Sequence, residues 1–399
     1  MKNKILIEDF SCQRGGLTIR GKVVRPEGGT NLTPIISCHG FMGSHKDQLP
    51  YCKIFARWGF AAYCFDFNGG GIHSKSDGKT TDMTVFTEAD DLEAVIDFVS
   101  TEDYVDISKL ILMGCSQGGF VSGIVAGRLK DRVSRLIMFY PALCIPDDAR
   151  RGQMIMAKFD PAAIPETVPC GPMLLGRCYP TSVLNVDPYE LLSPYQGPVC
   201  IVHGDADGLV NISYSVRAVE AYKAARPTDG AVLPYGDVQL HTIRGGGHGF
   251  DRKHDVPAVA IVREFLHDRF CALEIDVALT GHTLTKTASG KHLSLPFGGK
   301  AVGPYFTGDI APGASDEQDL APGLRYKLVH ACASYTICGQ DYTGSAATIS
   351  IKNENNGRGW RPTVTVDAGP LTCLNTARKR AVLEDRKEGP VVRIFLPRS

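Results

Sequence analysis

Short apolar runs separated by amphipathic stretches organise the first two thirds of the chain. The runs are PIISCHGF (34–41), AAYCFDF (61–67), KLILMGC (109–115), RLIMFYPAL (135–143), PVCIVHGD (198–205) and VQLHTIRG (238–245). Each is rich in Val, Ile, Leu or Phe and too short for a helix, the pattern of parallel strands buried on both faces. Ahead of them, KILIEDF and LTIRGKVVR predict a β-hairpin across Gly15 and Gly16. Between the runs lie helical patterns, clearest over Glu88 to Val99, where Leu92, Val95, Ile96 and Val99 recur on one face. Strands alternating with helices predict a doubly wound, mostly parallel α/β sheet. The rhythm breaks at about 144–195, a proline-rich interval that reads as a cap inserted between two strands.

After the helical PAVAIVREFLHDRF (257–270) the period changes. LSLPF, ATISIK, TVTVDA and VVRIFL alternate with period two between Gly and Pro turns. They predict a second, mainly antiparallel β domain of roughly 120 residues, with helix only around Asn375 to Glu384. The expected domains are therefore 1–272, with the cap at 144–195, and 273–399. No internal repeat is evident.

Composition narrows the function classes. Lys+Arg and Asp+Glu are both 43 in 399 residues, and no block of one sign stands out. Nucleic-acid and anionic-membrane partners are thus disfavoured, and a small neutral or amphiphilic molecule is the expected partner. The beginning, MKNKILIEDF, lacks the apolar core of a leader, and nowhere do 18 apolar residues run together; a cytoplasmic location is expected. Thirteen cysteines are odd in number and never in C-x-x-C spacing, so they read as reduced core thiols, with no structural metal and no cofactor expected.

The chemistry centres on LMGCSQGG (112–119). Gly114-Cys115-Ser116-Gln117-Gly118 fits G-x-S-x-G, which a chain with 43 glycines produces by chance roughly 0.2 times. The motif gains weight from its setting between the strand KLILMGC and the helical GGFVSGIVAGRL, the strand-turn-helix of a nucleophile elbow. Only the central residue of such an elbow projects from the apex, which makes Ser116 the nucleophile and Cys115 a packing residue. A serine hydroxyl needs a base and an orienting carboxylate. Asp207 is the favoured acid in HGDADGLV, with Asp205 as a turn brace beside it. His248 in RGGGHGFD is the favoured base, ahead of His241 in the preceding strand and His254 beyond it. An oxyanion hole is expected from the amides of Gln117 and Phe41, the latter in the loop SCHGFMG, where His39 serves the turn. Asp66 reads as a loop brace before an alternative acid.

Together HGFMGSHKD, CFDFNGGGIHSKSDGK, GCSQGG, HGDADGLV and GGGHGF resemble the serine esterases of the α/β-hydrolase superfamily, and more narrowly the bacterial feruloyl (cinnamoyl) esterases, over about residues 5–270. The resemblance implies a Ser116–Asp207–His248 triad and a small cap that holds a phenolic acyl group. Within that cap, Asp148 of PALCIPDDARRG would contact the ring hydroxyl. An acylated plant sugar would be a fitting substrate. The C-terminal part loosely resembles a small β-barrel family of unknown function, through which the chain could self-associate or bind a carbohydrate; Tyr305 and Trp360 there read first as packing residues. Acyl transfer, peptidase-like amide cleavage and a non-enzymatic scaffold with a partner-binding β domain are the alternatives.

Overall fold

The computed structural model describes residues 4–226, 238–322, 327–355 and 360–397. Its contacts divide the described residues into two compact units, one of 4–226 with 238–255 and one from 256 onward.

The first unit is built on an eight-stranded sheet. Strands β1 (Ile5–Arg14) and β2 (Leu17–Pro26) form the expected hairpin, with Gly15 and Gly16 both at positive φ in its turn. They are followed by β3 (Pro34–Cys38), β4 (Ala61–Asp66), β5 (Ile111–Cys115), β6 (Arg135–Phe139), β11 (Val199–Gly204) and β12 (Val238–Ile243). The spatial order is β1-β2-β4-β3-β5-β6-β11-β12. The two pairings at the hairpin end are antiparallel and all others parallel. This is the sheet expected of an α/β-hydrolase. Helices α1 (His45–Arg57), α2 (Val85–Val99), α3 (Gln117–Leu129) and α7 (Ser213–Ala224) connect the strands. Because β3, β4, β5 and β11 are buried along their whole length, a continuous apolar run was the right signature.

Capping fixes where the helices begin. Ser44 accepts from the backbone in front of α1, Thr84 does so in front of α2, and each forms a reciprocal capping box with Asp47 or Thr87. Between β6 and β11 the chain forms α4 (Ile145–Arg150) and two small hairpins, β7 (Gln153–Met154) with β8 (Ala157–Lys158) and β9 (Thr167–Cys170) with β10 (Met173–Gly176). Two short helices, α5 (Cys178–Val183) and α6 (Pro188–Leu192), follow. Helix α6 packs on α3, where Gly127 lies so close to the Leu191 carbonyl that a Cβ would approach it to 2.1 Å.

Helix α8 (Arg252–Leu266) runs across the division between the units, and β13 (Arg269–Leu279) spans the expected boundary at 272/273 as one uninterrupted strand apart from a bulge after Cys271. The second unit is antiparallel throughout. Its strands after β13 are β14 (Thr283–Thr287), β15 (Gly290–Val302), β16 (Phe306–Ile310), β17 (Ser315–Ala321), β18 (Lys327–Asp341), β19 (Ala346–Asn355), β20 (Trp360–Val366), β21 (Arg380–Glu384) and β22 (Val391–Pro397). The sheet runs β20-β19-β18-β16-β15-β13-β22-β21, with β17 continuing the place of β16 between β15 and β18. Strands β20 and β21 also touch, so the sheet curls into a small barrel.

The helix expected around Asn375 to Glu384 is absent: a 3-10 turn at Pro370–Asn375 precedes strand β21. Local helix preference there yields to pairing with β22 and to burial of alternate residues Val382 and Glu384. Glu384 and Glu274 both bond the fully buried guanidinium of Arg393 on β22, at 2.9 and 2.8 Å. Among the described residues no helix is long and apolar enough to cross a membrane.

Candidate active site

Strand β5 ends in a turn so tight that Ser116 takes φ 54° and ψ −121°, a conformation that ordinary residues avoid. The carbonyl ends of neighbouring strands hold it there: the Ser116 amide donates to Phe139 O at 2.9 Å, and its carbonyl accepts from Ala142 N at 2.9 Å. Helix α3 starts on the next residue, leaving the Gln117 amide outside the helical ladder. The loop after β3 packs against the apex, since a Cβ on Gly40 would lie 3.1 Å from Ser116 Cβ.

His248 and Asp207 come to Ser116 from two later loops. The His248 Nε2 is 2.9 Å from Ser116 Oγ, and its Nδ1 is 2.8 Å from Asp207 Oδ2. The loops are fastened to each other, with Ala206 N donating to Gly246 O at 3.0 Å and Gly245 N to Asp205 Oδ1 at 2.6 Å. Asp205 therefore braces the turn, as expected of it. Asp207 Oδ1 accepts from the amides of Leu209 and Val210, both at 2.9 Å. Burial raises the Asp207 carboxyl, but hydrogen bonds from His203, His248 and the Val210 amide outweigh it and hold the group well below the usual carboxylate range. Tyr140 lays its ring against the imidazole of His248, centroids 4.8 Å apart.

His203 is a partner the sequence reading missed. It is fully buried; its Nε2 is 2.9 Å from Val210 O and 3.2 Å from Asp207 Oδ2, and its Nδ1 is 2.7 Å from Ser215 Oγ. It belongs to the HGDAD segment, and a histidine ending a wholly apolar strand was its signal.

The rejected candidates sit elsewhere. Cys115 is buried beside Gln48, and burial pushes its thiol up to about 12, away from a nucleophile's range. His39 is buried with Nδ1 2.8 Å from Gly40 O and Nε2 accepting from Phe67 N at 3.3 Å, so it serves the turn. Asp66 accepts from the amides of His45 and Lys75, both at 2.6 Å, a loop brace. His254 bonds Asp251 at 2.9 Å, and His241 is buried in β12.

Beside Ser116 opens a cavity of about 480 Å³, its mouth included. Phe41, Ile145, Met154, Leu175 and Tyr179 contribute to its apolar wall beside Gln117, and Asp148 joins it from α4. Asp148 is not free: it forms an ion pair with Arg151. Behind the wall runs a buried polar chain in which Tyr179 donates to Gln117 Oε1 and Gln117 Nε2 donates to Glu88 Oε2 at 2.7 Å. Glu88 lies on the apolar stripe of α2, four residues before Leu92, and a carboxyl in that stripe was the sign that it is buried. Among the described residues no three His, Cys, Asp or Glu side chains gather into a metal-binding group.

Burial, partly offset by Gln117, raises the Glu88 carboxyl well above its ordinary value of 4.5. A raised folded-state value means that stability is fully present below the unfolded value and is lost as pH rises towards the folded one, by roughly 1.4 kcal/mol per pH unit in that window. Glu88→Gln removes this proton dependence. Thermal unfolding of both proteins should show little difference near pH 4 and a growing advantage for Glu88→Gln as pH rises above it; a difference independent of pH would show that Glu88 does not titrate in the fold.

Comparison with known proteins bears on the fold of the first unit. Residues 32–179 match the family model described as "Serine aminopeptidase, S33". Two uncharacterised 31.7 kDa proteins of Escherichia coli, from the traX-finO intergenic region, are 30% identical over 130 residues and 33% over 115 residues. These stretches are 32% and 28% of this chain and 44% and 39% of theirs, so the chain spans about two fifths of the length of the curated relatives it matches. Among solved structures, Est1E from Butyrivibrio proteoclasticus with ferulic acid bound is 28% identical with a TM-score of 0.57, covering 65% of this chain and 98% of its own. Est1E in a second structure gives 25% and 0.55, covering 65% and 97%. On strand order, elbow geometry and these likenesses together, the chain carries an α/β-hydrolase domain that resembles the feruloyl esterases.

Proposed function

We propose that the protein hydrolyses carboxylic esters through an acyl-enzyme on Ser116. The observation that carries this reading is the unbroken series Ser116 Oγ, His248, Asp207, at 2.9 and 2.8 Å, on a serine held at positive φ. His248 Nε2 takes the hydroxyl proton as Oγ attacks the ester carbonyl, then returns it to the leaving alcohol. A water that gives its proton to the same nitrogen attacks the acyl-enzyme and releases the acid. Asp207 fixes the tautomer by accepting from Nδ1–H and stabilises the imidazolium. The amides of Phe41 and Gln117 receive the oxyanion, the second from the start of α3, where an unsatisfied N–H and the helix dipole both favour negative charge.

For the acyl group the reading is a hydroxycinnamoyl or similar aryl acid, with an acylated plant sugar as one source. Three observations support it: the apolar cavity at Ser116, the position of Asp148 in its wall, and the likeness to a protein crystallised with ferulic acid. Asp148, freed from or shared with Arg151, would accept from the ring hydroxyl. Methyl ferulate and methyl cinnamate separate this contact, since only the first carries the hydroxyl. Asp148→Ala should lower kcat/KM for methyl ferulate by about tenfold and leave methyl cinnamate close to wild type; equal loss on both would remove Asp148 from substrate recognition.

A second reading, amide cleavage, is favoured by one observation, the aminopeptidase description of the matching family. The same serine series supports it because an acyl-enzyme does not dictate its leaving group. Turnover of an aminoacyl p-nitroanilide in preference to p-nitrophenyl butyrate would select it.

A further inference from the structure

The barrel of the second unit is hollow. Its cavity of about 700 Å³, mouth included, is bounded by residues of β13, β15, β17, β18, β19, β20, β21 and β22. Alternate residues of a strand face the same side, so the pairs Leu295 and Phe297 on β15 and Asp316 and Gln318 on β17 mark the inward positions. Strand register carries one inward row across four strands: Leu295, Asp316, Ala333 and Asn353. An apolar row is what a closed barrel core requires, and two of these four are polar.

Each of those polar groups keeps one oxygen without a partner among the described residues. Asp316 Oδ2 accepts from Gln318 Nε2 at 2.7 Å, but Asp316 Oδ1, Asn353 Oδ1 and the Tyr335 hydroxyl are buried and bond nothing among the described residues. Asn353 is 2% exposed and Tyr335 7% exposed. Burial, with the nearby charge of Glu317 adding to it, raises the Asp316 carboxyl above its ordinary value. Unsatisfied oxygens gathered in one barrel are costly unless an occupant satisfies them. Among the described residues no Lys, Arg or His lines the cavity, while a second carboxylate, the exposed Asp385, stands at its rim. The described lining therefore carries carboxylate charge with no cationic side chain to oppose it.

We propose that this cavity binds a primary ammonium ion carrying an apolar tail. Such an ion brings three N–H donors for three unpartnered oxygens and the charge that opposes Asp316. Trp360 and Tyr335 present rings to it, and Leu295 and Phe297 receive the tail. Ala333, the smallest residue in the inward row, leaves the space. Binding here is independent of the ester reading of Ser116.

Isothermal titration of the full chain with phenethylamine, with its neutral analogue 2-phenylethanol, and with arabinose tests the assignment. Phenethylamine should bind saturably with one site, 2-phenylethanol at least about tenfold more weakly, and arabinose not at all. Asp316→Asn should weaken the amine by about tenfold or more, and Ala333→Leu, which fills the space, should abolish it, each with wild-type far-UV circular dichroism. No saturable amine binding, equal affinity for the alcohol, preferred binding of arabinose, or undiminished binding by Asp316→Asn would each overturn the proposal. Should Asp316→Asn fail to fold, the amine-against-alcohol comparison on the wild type and the Ala333→Leu variant decide it.

Discussion

Ser116→Ala should lower kcat for p-nitrophenyl butyrate by about ten-thousandfold or more, a loss of roughly 5.5 kcal/mol in transition-state stabilisation. Alanine keeps the Cβ at the strained apex and removes only Oγ, so the elbow and its hydrogen bonds to Phe139 and Ala142 remain. His248→Ala should cost about as much, and the double variant little more, because the two groups act on one proton transfer. Cys115→Ala should retain near wild-type turnover, its thiol being buried and held protonated. Steady-state rates and the burst of p-nitrophenol read these outcomes directly. Substantial ester turnover by Ser116→Ala would refute the nucleophile, and loss of the burst in a folded Cys115→Ala would move the chemistry to the thiol.

Gly118→Ala should destabilise the fold by about 3 kcal/mol or more, a larger effect than most single substitutions produce. An added Cβ would lie 2.3 Å from His39 O and 2.5 Å from Cys38 O, both rigid backbone at the end of β3. Neither atom can give way without moving the loop that carries Phe41. The first turn of α3 and the end of β3 thus approach as closely as two backbones can. Gly298→Ala offers the contrast, having nothing within 4 Å of its Cβ position, and should stay within about 0.5 kcal/mol of wild type. Denaturant unfolding of both variants measures the difference; a Gly118→Ala protein within about 1 kcal/mol of wild type would show that the approach is looser than described.

Much of this site was legible in the chain because parallel strands expose their carboxyl ends in a fixed order. Ser116 and Asp207 each follow a strand buried along its whole length and His248 follows the half-buried edge strand β12, and a loop after a parallel strand has only one edge of the sheet to reach. What the residues hid were side chains whose roles depend on neighbours from distant strands. His203 reads as the end of an apolar strand until Asp207 and Val210 are placed beside it. Glu88 reads as one polar residue in a helix until its face is found against Gln117. The second unit was less legible, since short alternating strands carry little information on which pairs with which. Residues 380–384, RAVLE, have helix-forming composition, and only the partner strand β22 explains their extended conformation.

Arg393 carries a consequence for how the second unit comes together. Strand β22, the last of the unit, lies between β13, its first, and β21, so Glu274 meets a residue 119 positions later in the chain. The barrel is sewn shut by its own two ends. No order of hairpin-by-hairpin growth completes it, because β13 has only one partner until the final strand arrives. A one-residue slip of β22 would carry Arg393 to the face now held by Val392 and Ile394 and leave buried Glu384 and half-buried Glu274 without their partner. Closure of this seam joins the positions farthest apart in the unit, the kind of contact that costs most loop entropy, and the guanidinium favours one register for it.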